Sequence, residues 1–367
     1  MRAEVLVVGG GPAGAMAARR LAMHKRDVLL VEKEPHRVKP CGGGIPSTAF
    51  HDLEIPLRFN HLTVDRIRLI SPSERVLEIG LEGGSIVLVD RGEFDPYLRG
   101  LAEAEGAGML VGELKGIDHG RRRVTALIDT SRGEIRVEAD YLIAADGVNS
   151  RVRSLLSLPP QQSVYTVSGK LHRQDTDACE FWFSSRHAPG GYSWAFPSVN
   201  GLSLGTGTLE PKNARTYFRR FLARRFKDET TVGDVGHLRG YRIPSWKGDL
   251  FCKGRIFFVG DAAGHVMPFT YEGIYYSMKS GDLAAQAILE GRASLFRRLW
   301  RGRFYSRFRL MKALQEFFLK SDERIEQLFN IFQRRDVQEA SMQLWLRKDS
   351  SKSSIIRYIN FFRKFLH

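Results

Sequence analysis

Val5-Leu-Val-Val8 runs straight into Gly9-Gly-Gly11-Pro12-Ala13-Gly14, and an alanine-rich stretch carries on to Leu21. A short apolar run, a Gly-x-Gly-x-x-Gly turn and a helix-favouring segment follow one another here. Gly9 allows the chain to turn tightly off a strand. Gly11 lets a pyrophosphate approach the backbone, and Gly14 lets the helix lie close to the sheet. Pro12 and Ala13 begin that helix, whose free N–H groups and positive dipole end suit phosphate. A second apolar run, Val28-Leu-Leu-Val31, ends in Glu32-Lys33, with Glu32 18 residues after Gly14. A carboxylate at that point accepts hydrogen bonds from ribose hydroxyls and repels a 2′-phosphate. Strand, turn, helix, second strand and terminal glutamate in register predict a dinucleotide-binding βαβ unit. A glycine-rich turn without a ligand would not need the other four.

This start is answered about 250 residues later. Arg255-Ile-Phe-Phe-Val-Gly260-Asp261-Ala-Ala-Gly264-His265 reads as a buried strand ending on an acidic turn. Between the two, Arg136 to Ala145 reads as a strand delivering Asp146-Gly147-Val-Asn149-Ser150. Ile67–Ile70, Val76–Ile79 and Ile86–Val89 are short alternating runs, and Arg91 to Glu105 predicts a helix. Residues 160–245 alternate like a second sheet, and the chain from Gly281 onward is mostly helical in pattern. The predicted class is α/β: a Rossmann-like cofactor domain from residues 1–60, 91–158 and 245–290, interleaved with a β-sheet substrate domain from 61–90 and 159–244. Residues 291–367 form a basic helical C-terminal region.

Composition fits that size, with 367 residues of which 43% are hydrophobic. Cys41, Cys179 and Cys252 are widely spaced, which argues for a reducing compartment and against a disulfide framework or a structural zinc. The first strand begins at once, leaving no room for a signal peptide, and no apolar run is long enough to span a bilayer. The expected location is cytoplasmic or peripheral to a membrane. Charge is uneven: the net charge is +15, and residues 292–367 hold 18 Lys/Arg against seven Asp/Glu.

That last segment also holds Phe296, Leu299, Trp300, Phe304, Phe308, Phe317, Phe318, Phe329 and Phe332, and closes on Ile355, Ile356, Tyr358, Ile359, Phe362, Phe365 and Leu366 at helical spacing, with Arg357, Asn360 and Lys364 on another face. A basic amphipathic helix suits an anionic membrane surface, a protein partner, or a helical cap whose apolar stripe packs on the core. No nucleic-acid-binding motif is present.

Taken together, Gly9-x-Gly11-x-x-Gly14, Asp146-Gly147-x-Asn149-Ser150 and Gly260-Asp261 resemble the para-hydroxybenzoate hydroxylase superfamily of FAD proteins over roughly residues 1–290. The resemblance implies FAD held by Gly9, Gly11, Pro12, Ala13, Gly14, Glu32, Lys33, Cys41, Gly42, Arg91, Asp146, Gly260 and Asp261. In that superfamily the late aspartate contacts the ribityl chain. Pro268-Phe-Thr-Tyr-Glu272-Gly273-Ile274 matches the continuation, in which the N–H groups at Gly273 and Ile274 stabilise negative charge on the reduced flavin. Tyr271 stands where many relatives have glycine.

Two further stretches, Cys41-Gly-Gly-Gly44 and Pro189-Gly-Gly-Tyr192-Ser-Trp194-Ala-Phe196-Pro197, resemble the geranylgeranyl reductase family, whose members saturate isoprenoid double bonds. Tyr192, Trp194 and Phe196 alternate with Ser193 and Ala195, so three rings share one strand face, and Asn200-Gly201 suits a hairpin turn back into Leu202–Thr208. Tyr192, Trp194, Phe196, Pro197 and His265 are the expected substrate pocket; ordinary core packing explains most such stripes. An isolated alkene accepts hydride poorly, so the implied chemistry needs reduced FAD, a general acid and a dry pocket. Cys41 is the first candidate for the acid or for positioning; Tyr192, Trp194 and His265 follow. The implied partners are a prenylated lipid and an electron donor, NADPH or ferredoxin-like. Other readings of the same platform are an aromatic monooxygenase, then a halogenase, or a membrane-surface electron carrier without turnover.

Overall fold

The computed structural model describes residues 1–120, 122–248, 250–348 and 352–362. The chain divides into two compact units, residues 1–38, 92–162 and 244–305 in the first and residues 39–91, 163–243 and 306–367 in the second.

The first unit is built on a mostly parallel sheet. Its elements are β1 (Arg2–Val8), α1 (Pro12–Met23), β2 (Val28–Glu32), β3 (Gly108–Val111), β4 (Gly133–Ala144), β5 (Ile256–Phe258), α2 (Ile274–Leu289) and α3 (Ala293–Trp300). The strand order is β5-β4-β1-β2-β3, all neighbours parallel, and the hairpin Glu113–His119/Val124–Thr130 pairs antiparallel onto β4. Leu6, Val8, Val31, Leu142, Ala144, Ile256 and Phe258 are buried together on one face, and Val5, Val7, Leu30, Ile143 and Phe257 between them are buried too, as expected of a parallel sheet covered on both faces. α1 is lined with alanine and lies against α2 at Gly281, where a Cβ would stand 2.0 Å from the Ala13 carbonyl oxygen. Only glycine at that position allows so close an approach.

The second unit holds a seven-stranded sheet. The strands run in the order Arg239–Pro244, Ser163–Leu171, Gly201–Thr208, Ser193–Ser198, Cys179–Trp182, Arg66–Ile70 and Val76–Gly80. A smaller sheet is formed by Gly44–Pro46, Ile86–Val89 and His61–Val64. The 160–245 stretch is not all strand: Ala214–Phe226 is a helix, and Phe218, Phe221 and Leu222 pack on Val167, Leu171, Ala195 and Leu204. Its apolar residues follow a helical period that the surrounding arginines obscure.

Four helices close the second unit: Ser306–Phe318, Asp322–Phe332, Arg335–Trp345 and Lys352–Phe362. The C-terminal apolar stripe is largely internal. Ile355, Tyr358 and Phe362 are buried, with Phe362 against Phe318 and Phe332, while Ile356 is exposed. Phe308, Phe318 and Phe329 are likewise buried. The helical-cap reading accounts for the burial of these rings, while Ile356 stays exposed. Lys364, Phe365 and Leu366 lie outside the described residues. No helix among the described residues is long and apolar enough to cross a membrane.

Candidate active site

Register brings the distant motifs to one edge of the first unit. Val8 pairs with Val31 on one side and Ala144 on the other, and Ala144 pairs with Phe258. The C-terminal ends of β2, β1, β4 and β5 are therefore level, and each delivers its loop there: Glu32, Gly9–Gly14, Asp146 and Gly260–Asp261. In open α/β sheets ligands bind at this edge.

The glycine turn is fixed from both sides. Gly9 has φ +104°, and a Cβ there would meet the Ala145 carbonyl at 2.4 Å; one on Gly14 would meet the Gly9 carbonyl at 1.9 Å. A Cβ on Gly11 would meet nothing within 4 Å, so the backbone there borders open space. The Glu32 carboxylate accepts from the N–H groups of Gly10 (2.7 Å) and Glu34 (2.9 Å). Lys33 instead pairs with Glu113 at 3.6 Å, both well exposed. Neither α1 nor α2 has a side-chain cap, which leaves their first-turn N–H groups for another acceptor.

Asp146 works through the backbone. Its Oδ2 accepts from Val152 N–H at 2.9 Å, while Oδ1 is buried without a hydrogen-bond partner among the described residues. Burial pushes this carboxyl up, against the hydrogen bonds from Ser150 and Val152 that hold it down. Gly260 has φ +57° and its N–H donates to Ser280 Oγ at 2.7 Å. Asp261 Oδ1 lies beside Gly273, 3.8 Å from where its Cβ would be, so the acidic turn and the start of α2 adjoin. Phe269 and Tyr271 both adopt positive φ (+72° and +52°) in the loop leading to α2. Left-handed backbone at a non-glycine residue costs about 1–2 kcal/mol each.

His265 is not part of an open pocket. It is enclosed by Phe251 and Phe296 and stacks on Trp300 at 3.9 Å. Burial pushes its pKa down to about 3, so the imidazole is neutral in ordinary buffers.

The second unit joins the two remaining motifs. Tyr192 and Phe196 pack their rings on Phe181 (centroids 5.3 and 4.9 Å), and the Trp194 indole covers Gly205 on the neighbouring strand. The Cys41–Gly44 loop is seated on this face. A Cβ on Gly42 would meet the Phe196 ring at 2.8 Å, and the Ser203 hydroxyl accepts from Trp194 Nε1 (3.3 Å) while donating to the Cys41 carbonyl (3.2 Å). Trp194, Phe196 and Pro197 are buried, whereas Tyr192 and Cys41 are partly exposed. Gly43 N–H donates to Cys41 Sγ at 3.3 Å. Arg91 is buried at the start of its helix.

These features of the first unit fit a flavin dinucleotide: an uncapped helix start beside a glycine turn, a ribose-height carboxylate, and a second uncapped helix beside an acidic turn. The FAD binding domain family matches residues 2–289. The chain is 32% identical to the geranylgeranyl diphosphate reductase of Rhodobacter capsulatus, over 96% of this chain and 93% of that protein. The chain belongs to the geranylgeranyl reductase family. It is an FAD-dependent oxidoreductase. The digeranylgeranylglycerophospholipid reductase of Methanothrix thermoacetophila is 29% identical, over 95% of each chain. The crystal structure of a geranylgeranyl bacteriochlorophyll reductase-like protein from Thermoplasma acidophilum superposes with a TM-score of 0.83 over 99% of this chain and 98% of that one, at 24% identity, which shows a shared fold.

Several residues that support these loops are illegible in sequence. Arg99 is buried and donates to the carbonyls of Gly10 (3.0 Å) and Pro35 (2.6 Å). Gln161 Nε2 donates to the carbonyls of Asp261 and Ala262, both at 2.8 Å, and Arg153 donates to Ala262 at 3.2 Å. Each grips backbone far along the chain, and no local pattern marks such a residue. Only the spacing of Arg91, Asp95 and Arg99, buried polar groups four apart on one helix face, hints at it.

Proposed function

We propose that this oxidoreductase saturates isolated double bonds of a geranylgeranyl or other prenyl chain. The observation that carries the reading is the Cys41–Gly44 loop seated on Trp194 and Phe196, since it joins the two stretches that set this family apart from the hydroxylases of the same superfamily. The names of the Rhodobacter and Methanothrix relatives support the same substrate class.

Residues Gly9–Gly14, Glu32, Asp146, Gly260, Asp261, Gly273 and Ile274 would hold FAD, with Lys33, Cys41, Gly42 and Arg91 as further contacts. When bound and reduced by an external donor, FAD supplies hydride. The chain supplies the rest. Cys41 Sγ is the proton source for the less substituted alkene carbon and recovers its proton from solvent; the Gly43 N–H steadies the sulfur in either state. Tyr192, the partly open ring of the aromatic face, lines the path of the lipid and favours a partial positive charge on the more substituted carbon. Trp194 and Phe196 act as the floor that fixes Cys41. His265 is left out, being neutral and enclosed. Hydride and proton together add two hydrogens per double bond.

The test supplies geranylgeranyl diphosphate and geranylgeranylated phospholipid to the flavin-loaded enzyme under a chemical reductant. Products heavier by two hydrogens per double bond are expected, and no mass gain on any prenyl substrate rejects the reading. Replacing the chemical reductant with NADPH or with a reduced ferredoxin assigns the donor. A Cys41→Ala protein with full flavin content and unchanged turnover removes Cys41 from the mechanism.

A further inference from the structure

The helix Ala214–Phe226 carries a surface that neither the cofactor motifs nor the aromatic strand uses. Residues 211–227 contain seven Lys/Arg and no Asp/Glu. The helix sorts them by face. Ala214, Phe218, Phe221 and Leu222 are buried on the seven-stranded sheet, and two arginines are answered by acids. Arg224 Nε lies 3.3 Å from Glu74, and Arg225 pairs with both Asp175 and Glu180 at 2.7 Å; the two arginine side chains are only 16% and 13% exposed.

The remaining five, Lys212, Arg215, Arg219, Arg220 and Lys227, are exposed. At about 100° per residue, Arg215, Arg219 and Arg220 fall within about 140° of one another, with the short, exposed Thr216 and Ala223 between them. The acids that flank the helix in sequence are engaged: Glu210 accepts from the Tyr217 hydroxyl, and Asp228 accepts from the Thr231 N–H at 2.6 Å. Lys212, Arg215, Arg219 and Lys227 have no ion-pair partner among the described residues, and Arg220 donates to the Arg186 carbonyl at 3.3 Å. Basic residues of the C-terminal helices behave differently, since Lys312 pairs with Glu316, Arg334 with Asp336 and Arg335 with Glu339. Arg215 and Arg219 stand four apart, where like charges repel. An anionic surface removes that repulsion. Leu209, three residues before Lys212, is 55% exposed. Its side chain lies over Gly190, and its N–H donates to the Pro189 carbonyl at 3.2 Å. Pro189–Gly191 leads directly into Tyr192, so an exposed apolar side chain joins the start of the basic segment to the start of the aromatic strand.

We propose that this face docks the protein on an anionic membrane surface, with Arg215, Arg219 and Arg220 on the headgroups and Leu209 at the lipid boundary. Clusters of about four to eight Lys/Arg on an amphipathic helix suit anionic leaflets. Charge alone would also serve an acidic protein; the choice of a membrane rests on the prenyl-lipid reading above and on the exposed Leu209. The apolar face of the helix is already packed on the sheet, so attachment is chiefly electrostatic and sensitive to salt.

The experiment sediments flavin-loaded protein with vesicles of mixed phosphatidylglycerol and phosphatidylcholine, or of phosphatidylcholine alone, neither containing a prenyl lipid. The parent should pellet with the anionic vesicles only, and should release at about 1 M salt, where the Debye length is about 3 Å. Arg215→Glu/Arg219→Glu should bind at least about tenfold more weakly, with flavin absorbance and circular dichroism unchanged. Arg215→Gln/Arg219→Gln removes charge without adding any and should fall between the two, which keeps the test sound if charge reversal disturbs the helix. Lys312→Gln/Arg334→Gln, in the C-terminal helices, should bind like the parent. Failure of the parent to pellet with anionic vesicles overturns the proposal, as does parent-like binding by both Arg215/Arg219 variants or an equal loss in the C-terminal variant. A face that ignores vesicles yet holds an acidic ferredoxin through Arg215 and Arg219 serves a protein partner, which also overturns it. Vesicle binding that depends on these arginines, in a protein without prenyl turnover, sustains the docking face and rejects only the reductase reading.

Discussion

The Ser203 hydroxyl donates to the Cys41 carbonyl across 162 residues of sequence, while the same oxygen accepts the Trp194 indole N–H. One small side chain therefore ties the Cys41 loop to the aromatic strand. Ser203→Ala leaves the buried indole N–H without its acceptor, at a cost of about 1–3 kcal/mol. Urea unfolding should show that loss. The catalytic readout should fall as in a Cys41 variant with FAD content intact, and a Ser203→Ala protein with unaltered turnover would separate the loop's position from the chemistry.

Two glycine substitutions should move stability in opposite directions. Gly100 lies exposed in the helix Arg91–Ala104 with nothing near its missing Cβ, so Gly100→Ala should gain about 0.5–1 kcal/mol from helix propensity. Gly281→Ala enjoys the same propensity gain. There, however, the new carbon meets the Ala13 carbonyl at 2.0 Å, and overpacking of that kind costs about 1–3 kcal/mol. Melting curves of the two variants should therefore straddle the parent, with reduced flavin content only in Gly281→Ala.

Glu32→Gln keeps the shape of the side chain but halves its accepting capacity and presents an N–H₂ toward backbone donors. Hydrogen bonds to a charged acceptor are worth about 1.5–3 kcal/mol. Flavin fluorescence titration should give an FAD dissociation constant some tenfold or more above the parent, with the protein still folded.

His265 gives the acid limb of stability a specific source. Its pKa is depressed to about 3 in the folded chain and lies near 6.5 when unfolded, so the unfolded state binds the extra proton between those values. The His265 contribution is complete above about pH 6.5 and is lost as pH falls toward 3, at about 1.4 kcal/mol per pH unit. His187, buried against Ser193 and also pushed down to about 3, adds to the same limb. Chemical denaturation of His265→Phe between pH 7 and 4 should show a shallower decline than the parent; an identical slope would assign the limb elsewhere.

The opening βαβ unit was legible because its parts are local: a strand, a turn and a helix within 25 residues, each with its own pattern. Alternation also marked the ring-bearing strand correctly, since Trp194 and Phe196 do lie on one side and Ala195 on the other. What alternation does not carry is solvent exposure: Trp194, Phe196 and Pro197 are buried, and Tyr192 is partly exposed. His265 follows a motif closely, yet Trp300 covers it, and nothing near residue 265 announces a ring 35 residues later. The helix Ala214–Phe226 was hidden for the opposite reason: its five arginines break up a regular apolar spacing that only burial makes plain.

The level strand ends also set an order of assembly. β5 has three residues and pairs only with β4 and the short strand Cys252–Lys253, so it cannot form until some 110 residues beyond β4 have been synthesised. Until then the Leu142–Ala144 edge, apolar at all three positions, stands open, the kind of edge that invites pairing with another chain. The nascent protein thus carries this open edge through the middle of its synthesis, after its first βαβ unit is complete. A cofactor that spans β1 and β5 would act at that moment as a clasp, closing the interval in which the unfinished sheet is adhesive.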